Sequence, residues 1–278
     1  MVAVKRVEKN SNPVKIDLGL IAVIAISTLA VWAFLVNSSL PTGTDAEIHI
    51  FRAAQVKDAI ENGVLYPRWA PVFYYGNGYP IFNYYAPLAY HIAAYYSLLT
   101  STDVVAGTKF VLVISAYLGG LGMYLFARDL WGGNAGIVAS TAWTFSPYIV
   151  FLEPHARGEV AETLALGLAP VVFWTFSRIC QSGSVRFMAG AALSLAALIM
   201  AHPLAALAVY GLLLAYLLSQ LLVAPLVDDG ANVTQSRKVI PLVVGALLFG
   251  LGLAAMYWLP AGLERESVRL DFYGNFIF

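Results

Sequence analysis

Seven stretches of this 278-residue chain contain no Asp, Glu, Lys or Arg: 18–44, 69–102, 110–127, 130–152, 163–177, 187–227 and 239–263. A bilayer core about 30 Å thick is crossed by roughly 20 helical residues, so most of these runs are long enough to span it or nearly so. The run 187–227 would extend about 60 Å as one helix, twice the membrane, and must therefore fold back. His202-Pro203 is the natural break, because proline ends the hydrogen-bonding of the helix before it. The chain thus reads as a polytopic membrane protein.

The overall composition closes off other classes. Hydrophobic residues make up 60% and charged residues 12%, against roughly 45–50% and 25% in soluble domains. Sixteen Lys and Arg balance sixteen Asp and Glu, so there is no basic field to gather nucleic acid. A single cysteine, Cys180, excludes an internal disulfide, and the four histidines fit no zinc-ligand spacing. No metal site is assigned on that basis.

The fold class expected is all-α: a single integral membrane domain over residues 1–278, with about seven spans and interfacial or re-entrant helices in a long outer loop. Lys5, Arg6, Lys9 and Lys15 precede the first apolar run, which is too long for a signal-peptide core, so residues 1–17 are expected to be cytoplasmic. The spans are 18–36, 106–127, 133–152, 160–178, 185–201, 203–223 and 239–259. Residues 85–100 are apolar but short and tyrosine-rich, and are read as lying at the interface. That leaves Arg128, Arg178, Arg186, Arg237 and Lys238 in cytoplasmic turns, as the positive-inside rule asks. It also makes 37–105 a first outer loop and 260–278 an outer C-terminal segment, in a chain placed in the cell membrane.

On this topology the outer side collects the remaining ionisable groups. In Gly43-Thr44-Asp45-Ala46-Glu47-Ile48-His49-Ile50-Phe51-Arg52, Thr44 can cap a helix that stops at Asn62-Gly63. Asp45, His49 and Arg52 share one face of it, and Ile48, Phe51 and Ile60 lie towards another. A solvated face of a surface helix is the plain alternative to a site. The tyrosines and Trp69 between Tyr66 and Tyr85 suit either a stacking platform or an ordinary aromatic belt. A second cluster, Glu153-Pro154-His155-Ala156-Arg157-Gly158-Glu159 with Glu162, sits where two spans meet; boundary charges there either work or pair internally, for example Arg157 with Glu162. Glu264 and its neighbours form a third cluster, and His202 stands in the helical return. Together they could hold a polar head attached to a lipid tail.

Several of these segments resemble a known group. Gly43-Thr44-Asp45 with His49 and Arg52, Tyr66-Pro67-Arg68-Trp69, Gly78-Tyr79-Pro80-Ile81-Phe82 with Ala86-Pro87-Leu88, Ser146-Pro147-Tyr148, Arg157-Gly158-Glu159 with Glu162 and Pro170, His202-Pro203, and Trp258-Leu259-Pro260 with Glu264 look like the bacterial and archaeal membrane proteins described as 6-pyruvoyl-tetrahydropterin synthase-related. The architecture of that group is similar to the GT-C glycosyltransferase superfamily. The resemblance implies an enzyme using a polyprenyl-phosphate-linked sugar, with Asp45 in the place of the acid that serves as general base. It implies Arg52, Arg68 and Arg157 as phosphate ligands, and Glu159 and Glu162 as ligands of sugar hydroxyls or of an optional divalent cation. Glu47, His49, His202 and Glu264 complete the expected substrate site. Members of the group continue through further spans, whereas this sequence stops at Phe278, which leaves a non-catalytic subunit bound to other membrane chains as the alternative. A transporter or lipid flippase is a third reading, one that predicts internal repeats; none is visible.

Overall fold

The computed structural model describes residues 17–220 and 233–267, without the side chains of 233–238. The basic residues before Asp17, the side chains of Arg237 and Lys238, the end of the 203–223 span and the residues after Ser267 lie outside what is described. Among the described residues every regular element is a helix, with one isolated antiparallel bridge between Ala70 and Tyr79.

The elements in order are α1 Leu18–Ala30, α2 Trp32–Val36, α3 Ala46–Glu61, α4 Ile81–Tyr84, α5 Leu88–Thr100, α6 Val104–Trp131, α7 Gly133–Thr144, a π-helix Tyr148–Arg157, α8 Val160–Ser182, α9 Val185–Ala201, α10 Pro203–Leu218 and α11 Val233–Leu263. Four helical segments are long and apolar enough to cross a membrane: Val104–Trp131, Gly133–Arg157, Val160–Ser182 and Val239–Leu263. Three further apolar helices, α1, α9 and α10, are shorter, at 13, 17 and 16 residues. α5 has 13 residues, about 20 Å of helix, which is short of a bilayer core.

The ends of these helices follow from local chemistry. Asp103 caps α6 by accepting from the Ala106 amide at 2.8 Å, and His202 caps α10 through Nδ1, which accepts from the Ala205 amide at 3.2 Å. Pro203 stands in the first turn of α10, where its missing N–H costs nothing. α6 is the central element, packing along α1, α7 and α8; α8 leads to α9 and α9 to α11, with α3 resting on α5 and α5 on α6. Contact between α6 and α8 is backbone-close: a Cβ on Gly167 would lie 2.4 Å from the Ser115 carbonyl oxygen. Outward faces remain apolar, with Leu204, Leu207 and Leu212 on α10 and Leu248, Phe249 and Leu253 on α11 all exposed, as lipid-facing residues are.

Connectivity gives the bundle two chemically different ends. α1 and α6 run antiparallel, because Asp17 at the start of α1 meets Arg128 at the end of α6, 3.0 Å apart. Asp129 extends this group to α8 by accepting from Trp174 Nε1 at 3.0 Å and pairing with Arg178 at 3.5 Å. At the opposite end lie the start of α3, the end of the π-helix, the start of α8 and the end of α11.

One sequence expectation is corrected in α3. Asp45, not Thr44, is the N-cap residue, and its side chain makes no capping bond. The polarity of the helix is also inverted relative to a surface helix. His49 and Arg52 face inward at 1% and 8% exposure, whereas Ile48 and Phe51 are 45% and 60% exposed.

Candidate functional site

The inward face of α3 builds a closed, buried hydrogen-bonded group. The Glu159 carboxylate, N-cap of α8, can only accept, so His49 Nε2 carries the proton that bridges them at 2.5 Å. His49 Nδ1 shares a hydrogen bond with the Tyr90 hydroxyl at 2.7 Å, and the Tyr90 oxygen accepts from Arg52 Nη1 at 3.1 Å. The circle closes through Tyr85, whose hydroxyl donates to Glu159 at 3.1 Å and whose ring lies 4.1 Å from the Arg52 guanidinium carbon. Burial pushes the Glu159 carboxyl up, but the hydrogen bond and charge of His49, the Glu162 amide and the Tyr85 hydroxyl outweigh it and hold it at about 2. Burial, reinforced by the Glu159 charge, pushes the Tyr85 phenol up. Arg52 has no carboxylate partner among the described residues, and its Nε is buried without an acceptor.

Beside this group, Arg157 is the hub of a second. It pairs with Glu153 at 2.9 Å, Glu162 at 3.3 Å and Asp45 at 3.5 Å. Glu153 is fully buried, and Glu162 also accepts from the Tyr148 hydroxyl at 2.7 Å. Asp45 and Arg157 are each 37% exposed. Two glycines make the junction possible. A Cβ on Gly43 would lie 2.5 Å from the Arg157 carbonyl oxygen, and Gly158 takes a left-handed φ of +72° against Ala46. The Asp45 amide donates to the Arg157 carbonyl at 2.8 Å, fixing the start of α3 onto the π-helix. His155 stacks on Phe34 at 4.5 Å.

A third group joins the aromatic loop to the end of α11. Arg68 donates to Asn83 and pairs with Glu264 at 2.6 Å, while the Asn83 amide donates to Glu264 at 3.0 Å and Tyr84 donates to its carbonyl at 2.8 Å.

Asp45, Arg157 and Glu162 therefore share one group and His49, Arg52 and Glu159 the adjoining one; Arg68 and Glu264 form their own. Glu47 is exposed and forms no ion pair among the described residues. His202 serves as a helix cap and meets none of the others in the hydrogen-bonding pattern. No group of three or more His, Cys, Asp or Glu among the described residues is placed to hold a metal. Tyr85, Tyr90 and Asn83 join these groups although they are not among the site residues expected from the sequence, where the tyrosines suit either a stacking platform or an interfacial belt. The available signal was the stripe Ala89, Tyr90, Ala93, Ala94 and Ser97, which marks the packed face of α5.

Among known proteins, a family model described as 6-pyruvoyl-tetrahydropterin synthase related domain, membrane protein, matches residues 82–269. α3 lies before the matched segment but docks on it through Tyr90, Arg157 and Glu159. No curated protein matches the chain.

Proposed function

We propose, for a chain that belongs to the family of 6-pyruvoyl-tetrahydropterin synthase related membrane proteins, a GT-C-like role: transfer of a sugar from a polyprenyl-phosphate donor to an acceptor hydroxyl at the end of the bundle that carries Asp45. In this reading all seven apolar helical segments span. The end bearing Arg128, Arg178 and Arg186 is cytoplasmic and the Asp45 end lies outside the cell membrane.

The observation that carries the reading is the difference in engagement among the acids. Glu159 accepts three hydrogen bonds, Glu153 is buried against Arg157, and Glu162 is shared by Arg157 and Tyr148. Asp45 alone among the acids around Arg157 and His49 is half-exposed with a single contact, at 3.5 Å to Arg157. A general base needs such a free lone pair within reach of the acceptor hydroxyl. A donor phosphate drawn to the half-exposed Arg157 would compete for its guanidinium and release Asp45. Asp45 would then take the hydroxyl proton as the acceptor oxygen bonds to the anomeric carbon. The sugar–phosphate C–O bond breaks with its electron pair going to the phosphate, which Arg157 steadies.

Glu159, His49, Arg52 and Tyr90 hold α3 in place and so set the position of Asp45. The test is transfer of labelled sugar from a polyprenyl-phosphate donor by membranes carrying the protein. Asp45→Asn should cost about 10²–10⁴-fold in rate with unchanged membrane abundance; wild-type rates in that variant would refute the role. The non-catalytic subunit remains the second reading, favoured by the internal pairing of nearly every other charge. It is distinguished by a stoichiometric membrane partner together with no transfer activity in the wild type.

A further inference from the structure

Below the charged junction, inside the spanning bundle, the helices enclose a small cavity that the proposed chemistry does not use. It measures about 30 Å³ and is walled by the end of α1 with Val31, α6, α7, the π-helix and α8, with Ser115, Trp143, Thr144, Pro154 and Thr163 among its lining. Two of its lining residues each carry a buried polar atom with no hydrogen-bond partner among the described residues: the Trp143 indole Nε1 and the Thr144 hydroxyl, the latter lodged against Gly120 beside the Ser27 and Ser140 hydroxyls. Thr144 is only 3% exposed. Adjacent glycines of α6 receive both groups. A Cβ on Gly119 would lie 2.9 Å from Trp143 Nε1, and one on Gly120 3.2 Å from Thr144 Oγ1.

Unpaired polar groups in a hydrocarbon setting are costly. The other two hydroxyls of the cavity are donors already committed to their own helices, Ser115 to the Val111 carbonyl at 2.6 Å and Thr163 to the Glu159 carbonyl at 2.5 Å. Each keeps oxygen lone pairs free to accept. The lining thus offers two uncommitted donors, the Trp143 N–H and the Thr144 O–H, and two acceptors, the oxygens of Ser115 and Thr163. We propose that this cavity is a binding site for water, one or two molecules that accept from Trp143 and Thr144 and donate to Ser115 and Thr163. That set matches the two lone pairs and two protons of a water molecule. The volume admits nothing larger, since one water needs about 10–15 Å³ measured in this way. The bound water ties α7 to α6 and to the first turn of α8, directly beneath Glu159. It is independent of whether the protein transfers sugars.

The sign of a thermal shift separates a wet cavity from a dry one. Thr144→Val keeps the shape of the side chain and removes the hydroxyl. If water bridges it, the variant loses a partner and its midpoint falls by about 2–4 °C, while Thr144→Ser stays near the wild type. If the cavity is dry, Thr144→Val removes an unsatisfied group and the midpoint is unchanged or rises, which overturns the proposal. Radiolytic hydroxyl labelling of the wild-type protein in detergent needs no variant. Bound water should label Trp143 despite its place in the bundle, and an unlabelled Trp143 would also overturn it.

Discussion

Glu159 and Asp45 carry the same charge within one turn of the π-helix terminus, and their surroundings give them opposite work. Glu159 is 4% exposed and takes donors on both oxygens; Asp45 is half-exposed and shares one cation. The consequence for Glu159 is measurable through pH. Its carboxyl is held at about 2 in the fold against 4.5 when free, so the unfolded chain takes up the proton first as pH falls. Its contribution is complete above about pH 4.5 and disappears as pH drops towards 2. Glu159→Gln should therefore lower the thermal midpoint at pH 7 and flatten its decline between about pH 5 and 3. Equal slopes in variant and wild type would mean that the His49 bond does not stabilise the carboxylate. The role proposed for Asp45 comes from the family resemblance, because spacing alone cannot reveal which of several carboxylates will find three donors.

At the scale of elements, α3 shows where reading from hydropathy stops. The apolar runs located the helices and most of their ends, since leaving water is what those residues have in common. Hydropathy does not say whether a residue that leaves water faces lipid or protein. α3 therefore reads from the sequence as a surface helix whose polar face is either a site or merely solvated, whereas the His49 and Arg52 side of that face is sealed against Tyr90 and Glu159 and Ile48 and Phe51 point out. Tyr90, within 85–100, reads as lying at the interface for the same reason. The docking depends on backbone that only glycine provides. At Gly158, φ is +72° and a Cβ would sit 2.6 Å from that of Ala46. Gly158→Val should cost about 1–3 kcal/mol and loosen α3. The check is limited trypsin digestion, with cleavage after Lys57 expected to accelerate while α6 and α8 remain protected. Unchanged cleavage together with an unchanged midpoint would show that α3 is held elsewhere.

For the whole molecule, the asymmetry of charge between the two ends is the property with the widest consequence. The described residues at one end include Arg128, Arg178 and Arg186 against Asp17 and Asp129. At the other end, from Asp45 and Glu47 through Asp103 and Glu162 to Glu264, carboxylates outnumber the cations. An excess of Arg and Lys belongs on the cytoplasmic side of a membrane, which is why the proposed orientation puts the Arg128 end there. Thiol labelling tests both at once. In a Cys180→Ser background, cysteines at Ser101 and Ser182 are well placed because both positions are exposed and close helices at opposite ends of the bundle, Ser101 after α5 and Ser182 at the end of α8. An impermeant maleimide added to intact cells should modify Ser101→Cys and leave Ser182→Cys unmodified until the membrane is opened. Modification of both from one side would mean that α6 and α8 do not cross with this register. Modification of Ser182→Cys alone would invert the orientation, and would move Asp45 and Arg157 to the cytoplasmic face, where a donor presented at the outer surface could not reach them.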